Sequence, residues 1–367
     1  MVIAALLAVM TLRRWRSGVA TNPWSICGTA ALALSPEIRR LFTGLPAGID
    51  AAKMPKHILE SVLDERNFKL GYFYNADGAV EYGVILYERN LSDDDSLHKG
   101  AAPVDGMVVG GKHHGKPIRT KRHLPFLMLG YAGRLSLLFV LCGLLVLILY
   151  YNNTGGDTPF ERFMDSESFG VRFLFTGVGV VISFFWASFF NSIAIISPYQ
   201  LLSDRPQLAR HSILLAPPTN AVSGLRSAIR RRHGFLAVVA VTSLLSEVLT
   251  IFLTNIPFRV TQTFLVHTIC TWSAVGILFI MVLVVLGSFC VTWPHMPLDP
   301  STVAGAMYYV CDSWMLGQFE GLSVMRRPER DARVRSLGAR YEFGEMGGVE
   351  GTRRIGVDSS DERSWTL

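Results

Sequence analysis

Hydrophobic and polar positions along this chain separate into four apolar blocks, at 125–151, 172–196, 235–257 and 270–293, set between stretches in which polar residues recur. A helix needs about 20 predominantly apolar residues to cross about 30 Å of hydrocarbon. All four blocks have that length, and 135–151 runs 17 residues without a charge. The pattern predicts an α-helical integral membrane protein with four full transmembrane helices. The connections are 152–171 between the first and second, 197–234 between the second and third, and 258–269 between the third and fourth.

The first residues depart from that scheme. Residues 1–12 are apolar and are followed by Arg13, Arg14 and Arg16, the reverse of a secretory signal, in which the basic region comes first. Twelve residues are too few to span a bilayer. The stretch reads as a partial transmembrane segment, the tail of a fifth span with its N-terminus outside, as truncation would leave it.

Polar flanks of similar layout follow both the stub and the last block. Pro23, Gly28, Phe42, Gly44 and Leu45 recur as Pro300, Gly305, Phe319, Gly321 and Leu322, each pair 277 positions apart. Farther on, Phe68, Leu70, Gly71, Gly78, Gly83 and Val84 align with Tyr341, Phe343, Gly344, Gly351, Gly356 and Val357. A fixed order of matches after an apolar run reads as an internal repeat. Each copy, 13–124 and 294–367, is expected to be a small cytoplasmic helix-plus-β-hairpin module. Pro23 and Pro300 stand where a helix of about 20 residues would begin, since a first turn tolerates a missing N–H. Residues 68–74 and 80–88 read as strands joined at Asn75-Ala76-Asp77-Gly78, because Asp-Gly supplies the positive φ of a hairpin turn. The second copy, 340–357, has a looser glycine-rich turn.

Charge orients the blocks. Half of the residues are hydrophobic, 17% are charged, and the net charge is +6. Segment 11–124 holds 16 Lys and Arg, 197–234 holds 6 and 294–367 holds 9, out of 35 in the chain. Basic residues are retained on the cytoplasmic side during insertion, so these three segments face the cytoplasm and the other two loops face outward. The basic surplus crowds beside the apolar blocks rather than forming a separate basic domain, which points to a lipid bilayer and away from nucleic acid. On the outer side, Asn152-Asn153-Thr154 reads as a glycosylation acceptor at Asn152, close to the end of its span.

Candidate chemistry is sparse. Glu247 is about 12 residues into the third block, roughly 18 Å at 1.5 Å per residue, near mid-membrane. With Ser243, Thr250 and Thr254 it recurs at helical spacing, so the sequence predicts a polar stripe facing the bundle interior. Two readings stand: a proton or cation relay, and a single interhelical hydrogen bond. Arg134 and Arg172 lie near block ends, where their heads can snorkel. Val222, Leu225 and Ile229 share a helical face, with Arg226, Arg230, Arg231 and Arg232 mostly elsewhere on the turn. That is the pattern of a helix lying on anionic lipid, and equally of a basic loop that only enforces topology. Gly110, Gly115 and Lys116 fail as a phosphate loop, since Pro117 stands where Ser or Thr would meet Mg²⁺. His113, His114 and His123 sit among Lys112, Lys116, Arg119, Lys121 and Arg122, a field that repels metal cations. Cys142, Cys270 and Cys290 fall in or beside the blocks, Cys27 and Cys311 in the flanks; the odd count without a close pair indicates reduced thiols.

Short stretches carry a family resemblance: Asn22-Pro23-Trp24-Ser25-Ile26, Ser197-Pro198-Tyr199-Gln200-Leu201-Leu202, Pro300-Ser301-Thr302-Val303-Ala304, and Tyr341, Gly344 and Gly356-Val357-Asp358 near the end. On these the chain resembles fungal multi-spanning membrane proteins with a repeated domain of unknown function, DUF3433. The resemblance implies two copies of a unit in a longer chain, here one complete copy and the end of another. It implies no activity.

These observations favour a non-enzymatic membrane scaffold or anchoring protein without a cofactor, whose modules bind an unknown protein partner. The alternative is a transporter or channel-like component using the Glu247 stripe. An enzyme is not expected, because paired acids, metal ligands and a nucleophile with its base do not come together in the pattern.

Overall fold

A computed structural model of the chain describes residues 22–47, 56–64, 66–75, 77–87, 124–153, 169–231, 233–257, 263–349, 351 and 353–360, with residues 10 and 162 singly. The N-terminal stub, apart from residue 10, and the histidines and lysines of 112–123 lie outside the described residues.

Among the described residues, four helices are long and apolar enough to cross a membrane. They are α4 (Tyr131–Asn153), α5 (Phe169–Asp204), α7 (Gly234–Leu253) and α8 (Phe264–Cys290). They correspond to the four apolar blocks with shifted ends. The first helix starts six residues after the block does, because 125–130 turns back on its first turn and leaves no space for a Cβ at Gly133, beside the Leu127 carbonyl. The second continues through Pro198 to Asp204. In the bundle, α7 stands between α5 and α8, and α4 packs on α8. At Gly179 the backbones of α5 and α7 approach closely, since a Cβ there would lie 3.1 Å from the Thr250 Cα. α6 (Ala221–Arg231) lies along α7.

The N-terminal flank folds as α1 (Ile26–Leu32), α2 (Pro36–Thr43), α3 (Lys56–Leu63) and the antiparallel pair β1 (Asn67–Tyr74) and β2 (Val80–Tyr87). The C-terminal flank gives α9 (Val303–Tyr308), α10 (Met315–Gln318), α11 (Arg327–Ser336) and the antiparallel pair β4 (Arg340–Gly347) and β5 (Arg353–Ser359). The single helix of about 20 residues expected after each proline is instead two short ones. In the first flank Pro36 cannot continue the preceding helix and disfavours helical backbone at Ser35; in the second, the helix ends at Tyr308 and a new one starts at Met315, whose N–H is taken by the side chains of Ser313 and of Asp358 from β5.

One element had no sequence signal. β3 (Gln207–Leu208), just past α5, pairs with Tyr341 and Arg340 of β4 to make a third strand. Two residues show no periodicity, and their partner is far along the chain. The core runs from the spans into both flanks, through Ile193, Tyr199, Met296, Tyr309 and Phe343.

Candidate functional site

The flanks meet in one body, and its local geometry begins with two helix caps. Ser25 accepts from the Gly28 N–H at 3.1 Å and donates to the Asn22 carbonyl at 3.1 Å; Thr302 accepts from the Gly305 N–H at 3.0 Å and donates to the Asp299 carbonyl at 3.1 Å. The Asn22 side chain accepts from the Trp24 N–H, and the Asp299 side chain from the Ser301 N–H. Neither Gly28 nor Gly305 has space for a Cβ, which would collide with the Asn22 and Asp299 carbonyls respectively. These are the positions 277 apart in sequence.

The hairpins agree as closely. Phe68 faces Leu86 and Leu70 faces Val84 in the first, while Tyr341 faces Ser359 and Phe343 faces Val357 in the second. The turn glycines Gly78 and Gly351 have φ of 75° and 77°, a conformation glycine adopts without steric cost. Each hairpin sits on the short helix of its own flank. A Cβ on Gly83 would lie 2.7 Å from the Leu32 carbonyl and one on Gly356 2.6 Å from the Tyr309 carbonyl.

Each hairpin then reaches across. From β2, the fully buried Glu81 carboxylate accepts from the Gly321 N–H and the Ser323 hydroxyl, and the Tyr82 N–H donates to Ser323 Oγ at 2.8 Å. From β5, Arg354 donates to the Phe42 carbonyl at 3.1 Å and the Ile355 N–H donates to the Ala47 carbonyl at 3.2 Å. Arg354 also pairs with Asp312 at 3.5 Å and stacks 5.0 Å from the Tyr308 ring centroid. Its guanidinium meets the last turn of α2, where the helix dipole favours a cation.

Burial governs titration here. It pushes the thiols of Cys27 and Cys311 up to about 12. Burial also raises Tyr309 and Tyr308, and it raises Asp358 against hydrogen bonds from Ser313, Ser359, Met315 and Trp314. The two thiols and the two phenols therefore stay protonated near neutrality. Among the described residues, no three of His, Cys, Asp and Glu converge as a metal ion would require.

The intramembrane stripe does not assemble as expected. Ser243 is buried, Thr250 and Thr254 are half-buried, and Glu247 is exposed on the outside of α7. The inward polar row is Thr242, Ser243 and Ser246, of which Thr242 and Ser246 donate to carbonyls of their own helix. Glu247 shares a face with Ser243 only approximately, and lies about 100° around the helix from Ser246. The same wheel that put the serine inside therefore turned the acid out. Arg134 corrects another expectation: instead of snorkelling it is 4% exposed, donates to the Ser288 carbonyl at the end of α8 at 2.8 Å, and lies 4.3 Å from the Phe289 ring centroid.

On α6, the inward face is Ala221, Gly224 and Ala228, with Gly224 against the Phe190 ring. The predicted apolar face divides, since Leu225 is half-buried while Val222 and Ile229 are exposed beside Arg226 and Arg230. The Arg231 side chain and Arg232 lie outside the described residues. Asn152 is exposed in the last turn of α4, and Thr154 lies outside the described residues.

A family model described as a protein of unknown function (DUF3433) matches residues 169–258, the stretch that contains α5, α6 and α7. It supports the resemblance at residues 197–202; the other stretches that carried the resemblance lie beyond the match. No curated protein and no solved structure matches the chain.

Proposed function

We propose that this chain is a multi-pass membrane scaffold: four spanning helices hold two copies of one folded unit, clasped together on the cytoplasmic side, as a platform for a protein partner. The observation that carries the reading is the reciprocal crossing of Glu81 and Arg354, which makes one rigid body of two flanks separated by the whole membrane bundle. The paired caps and equal hairpin registers support descent of both flanks from a single duplicated unit. The clustering of Lys and Arg in segments 11–124, 197–234 and 294–367 supports a cytoplasmic platform.

The alternative, a transporter or channel-like component working through Glu247, is weakened by the outward position of that side chain. Ion flux in liposomes carrying the wild type and Glu247→Gln separates the two. The scaffold requires no flux from either. Flux that disappears on substitution, with folding intact, overturns it.

Contact with anionic headgroups by Arg226, Arg230, Arg231 and Arg232 belongs to the same proposal. It is supported by the exposed Val222 and Ile229 beside exposed arginines on α6. Reversing the charge of Arg226 and Arg230 in the full chain should lower its retention of anionic lipid through detergent extraction; unchanged retention would leave those arginines the topological role alone.

A further inference from the structure

The basic segment 197–234 carries Arg210 and His211 in the single turn Ala209–His211 after β3, and Arg226 and Arg230 on α6. The Arg210 guanidinium directs two nitrogens at one atom, His211 Nε2, with Nε at 3.1 Å and Nη2 at 3.0 Å. A guanidinium only donates, so Nε2 is the acceptor and the imidazole is neutral, with its proton on Nδ1. The charge of Arg230 reaches the same ring: burial first, then Arg210 and Arg230, hold the His211 pKa below its ordinary value near 6.5. Among the described residues no carboxylate pairs with Arg210, Arg226 or Arg230, whereas the ion pairs of the second flank engage Arg327, Arg330 and Arg354. Of the elements packed on this turn, α11 carries Arg327, Arg330 and Asp331 as one ionic group, β4 sets Arg340 opposite Leu208, and α1 brings the protonated Cys27 thiol.

An arginine whose fork is engaged by a neutral imidazole is ready for a stronger acceptor. A phosphate is one, since guanidinium binds it through charge-assisted, bidentate hydrogen bonds. When phosphate takes the Arg210 fork, His211 Nε2 loses its donor and lies beside an anion, and both changes favour a proton on that nitrogen. We propose that Arg210, His211 and Arg230 form a phosphate site for the headgroup of an anionic lipid, and that His211 Nε2 takes up a proton from water as the site fills. Proton uptake on binding makes affinity rise as pH falls through the interval between the pKa values of the free and the occupied imidazole. Lipid is the source of the phosphate because Val222 and Ile229 are exposed on α6 beside Arg226 and Arg230, the layout of a helix seated in an interface.

The inference rests on the lipid reading of α6 and deepens it, adding two residues from outside that helix and a dependence on pH. The full chain in micelles of an uncharged detergent is titrated with dioleoylphosphatidylglycerol, whose phosphodiester stays ionised throughout, and Kd is read by calorimetry at pH 5.5 and 7.5. One more basic charge beside an anionic headgroup is worth about fivefold in affinity, so the wild type should bind about fivefold more tightly at the lower pH. His211→Gln keeps an acceptor for Arg210 and cannot ionise, so it should flatten that difference. His211→Asn gives a second neutral side chain if glutamine disturbs the turn. Arg210→Gln should weaken binding at pH 5.5 by about fivefold. Equal wild-type affinity at the two pH values overturns the proposal, as does an undiminished difference in both His211 variants. Equally tight binding of glycerophosphoglycerol, the headgroup without its tails, also overturns it, because the occupant is then a soluble phosphate. The lipid reading of α6 fails separately, if reversing the charge of Arg226 and Arg230 leaves binding unchanged; binding that is lost on that reversal but indifferent to pH defeats the His211 site alone.

Discussion

Glu81 and Arg354 occupy the same position of the two hairpins, 273 residues apart, and each buries its charged head in the opposite flank. Glu81 takes hydrogen bonds from Gly321 and Ser323, and Arg354 gives one to Phe42. One position thus serves as acceptor in one flank and donor in the other. Were both residues acidic or both basic, one of the two crossings would offer the wrong partner.

Removing either head group should loosen the platform. Arg354→Ala strands the buried Asp312 carboxylate, a loss of about 3 kcal/mol or more by the usual cost of an unpaired buried charge. Glu81→Ala leaves the Gly321 N–H and Ser323 hydroxyl unmet, about 1–3 kcal/mol. Urea unfolding followed by Trp314 fluorescence measures both, and losses under about 0.5 kcal/mol would contradict the crossing.

The caps should behave as a matched pair. Ser25→Ala and Thr302→Ala are each expected to cost about 1 kcal/mol. Gly28→Ala and Gly305→Ala should cost more than the cap loss, since each Cβ meets a carbonyl that the cap itself holds in place. Thermal unfolding of the four variants tests this, and a tolerated alanine at only one glycine would break the correspondence.

Acidity around Asp358 has a definite sign. Burial raises its folded pKa above the unfolded value near 3.8, so the folded chain binds more protons between those two pKa values, and the contribution of Asp358 to stability falls as pH rises through that window. Asp358→Asn keeps the Oδ1 acceptor that serves Ser313 and Met315 and cannot ionise. The stability of the variant relative to wild type should therefore rise with pH across the window; a flat difference would show that the carboxyl does not titrate there.

Thiol reactivity should divide by burial. Cys27 and Cys311 are buried with their thiols near 12, and the thiolate is the reactive form. At pH 7.5 a maleimide should label exposed Cys290 in the folded chain and leave these two until denaturant is added. Peptide mass mapping reads the result, with labelling of Cys311 before unfolding as the contrary outcome.

Glu247→Leu distinguishes an outward acid from an inward one. On the outside of α7 the substitution removes a costly polar group from an apolar surface, so thermal stability in detergent should hold or rise. An acid hydrogen-bonded inside the bundle would instead give a loss of about 0.6–2 kcal/mol.

Several features were legible before any fold was known. The positions of the four long apolar helices followed from length and apolarity alone. The turn at Asp77 and Gly78 followed from the φ that glycine permits, and the match of Gly28 with Gly305 anticipated two caps that share their hydrogen bonds. Local chemistry suffices for each of these.

Other features depend on neighbours that no local pattern names. Whether Glu247 faces in or out is decided by which side of α7 meets α5 and α8, and Ser243 is a neighbour of Glu247 on the wheel without sharing its fate. The cover on β4 comes from Tyr199 and Gln207, more than a hundred residues earlier in the chain. By itself the sequence determined that this chain builds four apolar rods and two similar flanks, because hydration and backbone sterics act on each segment separately. Only the tertiary structure decided that Glu81 and Arg354 exchange flanks, that Glu247 turns outward and that β3 from beyond α5 joins the second hairpin. Those outcomes depend on which surfaces pack together, and packing joins residues that the chain keeps far apart.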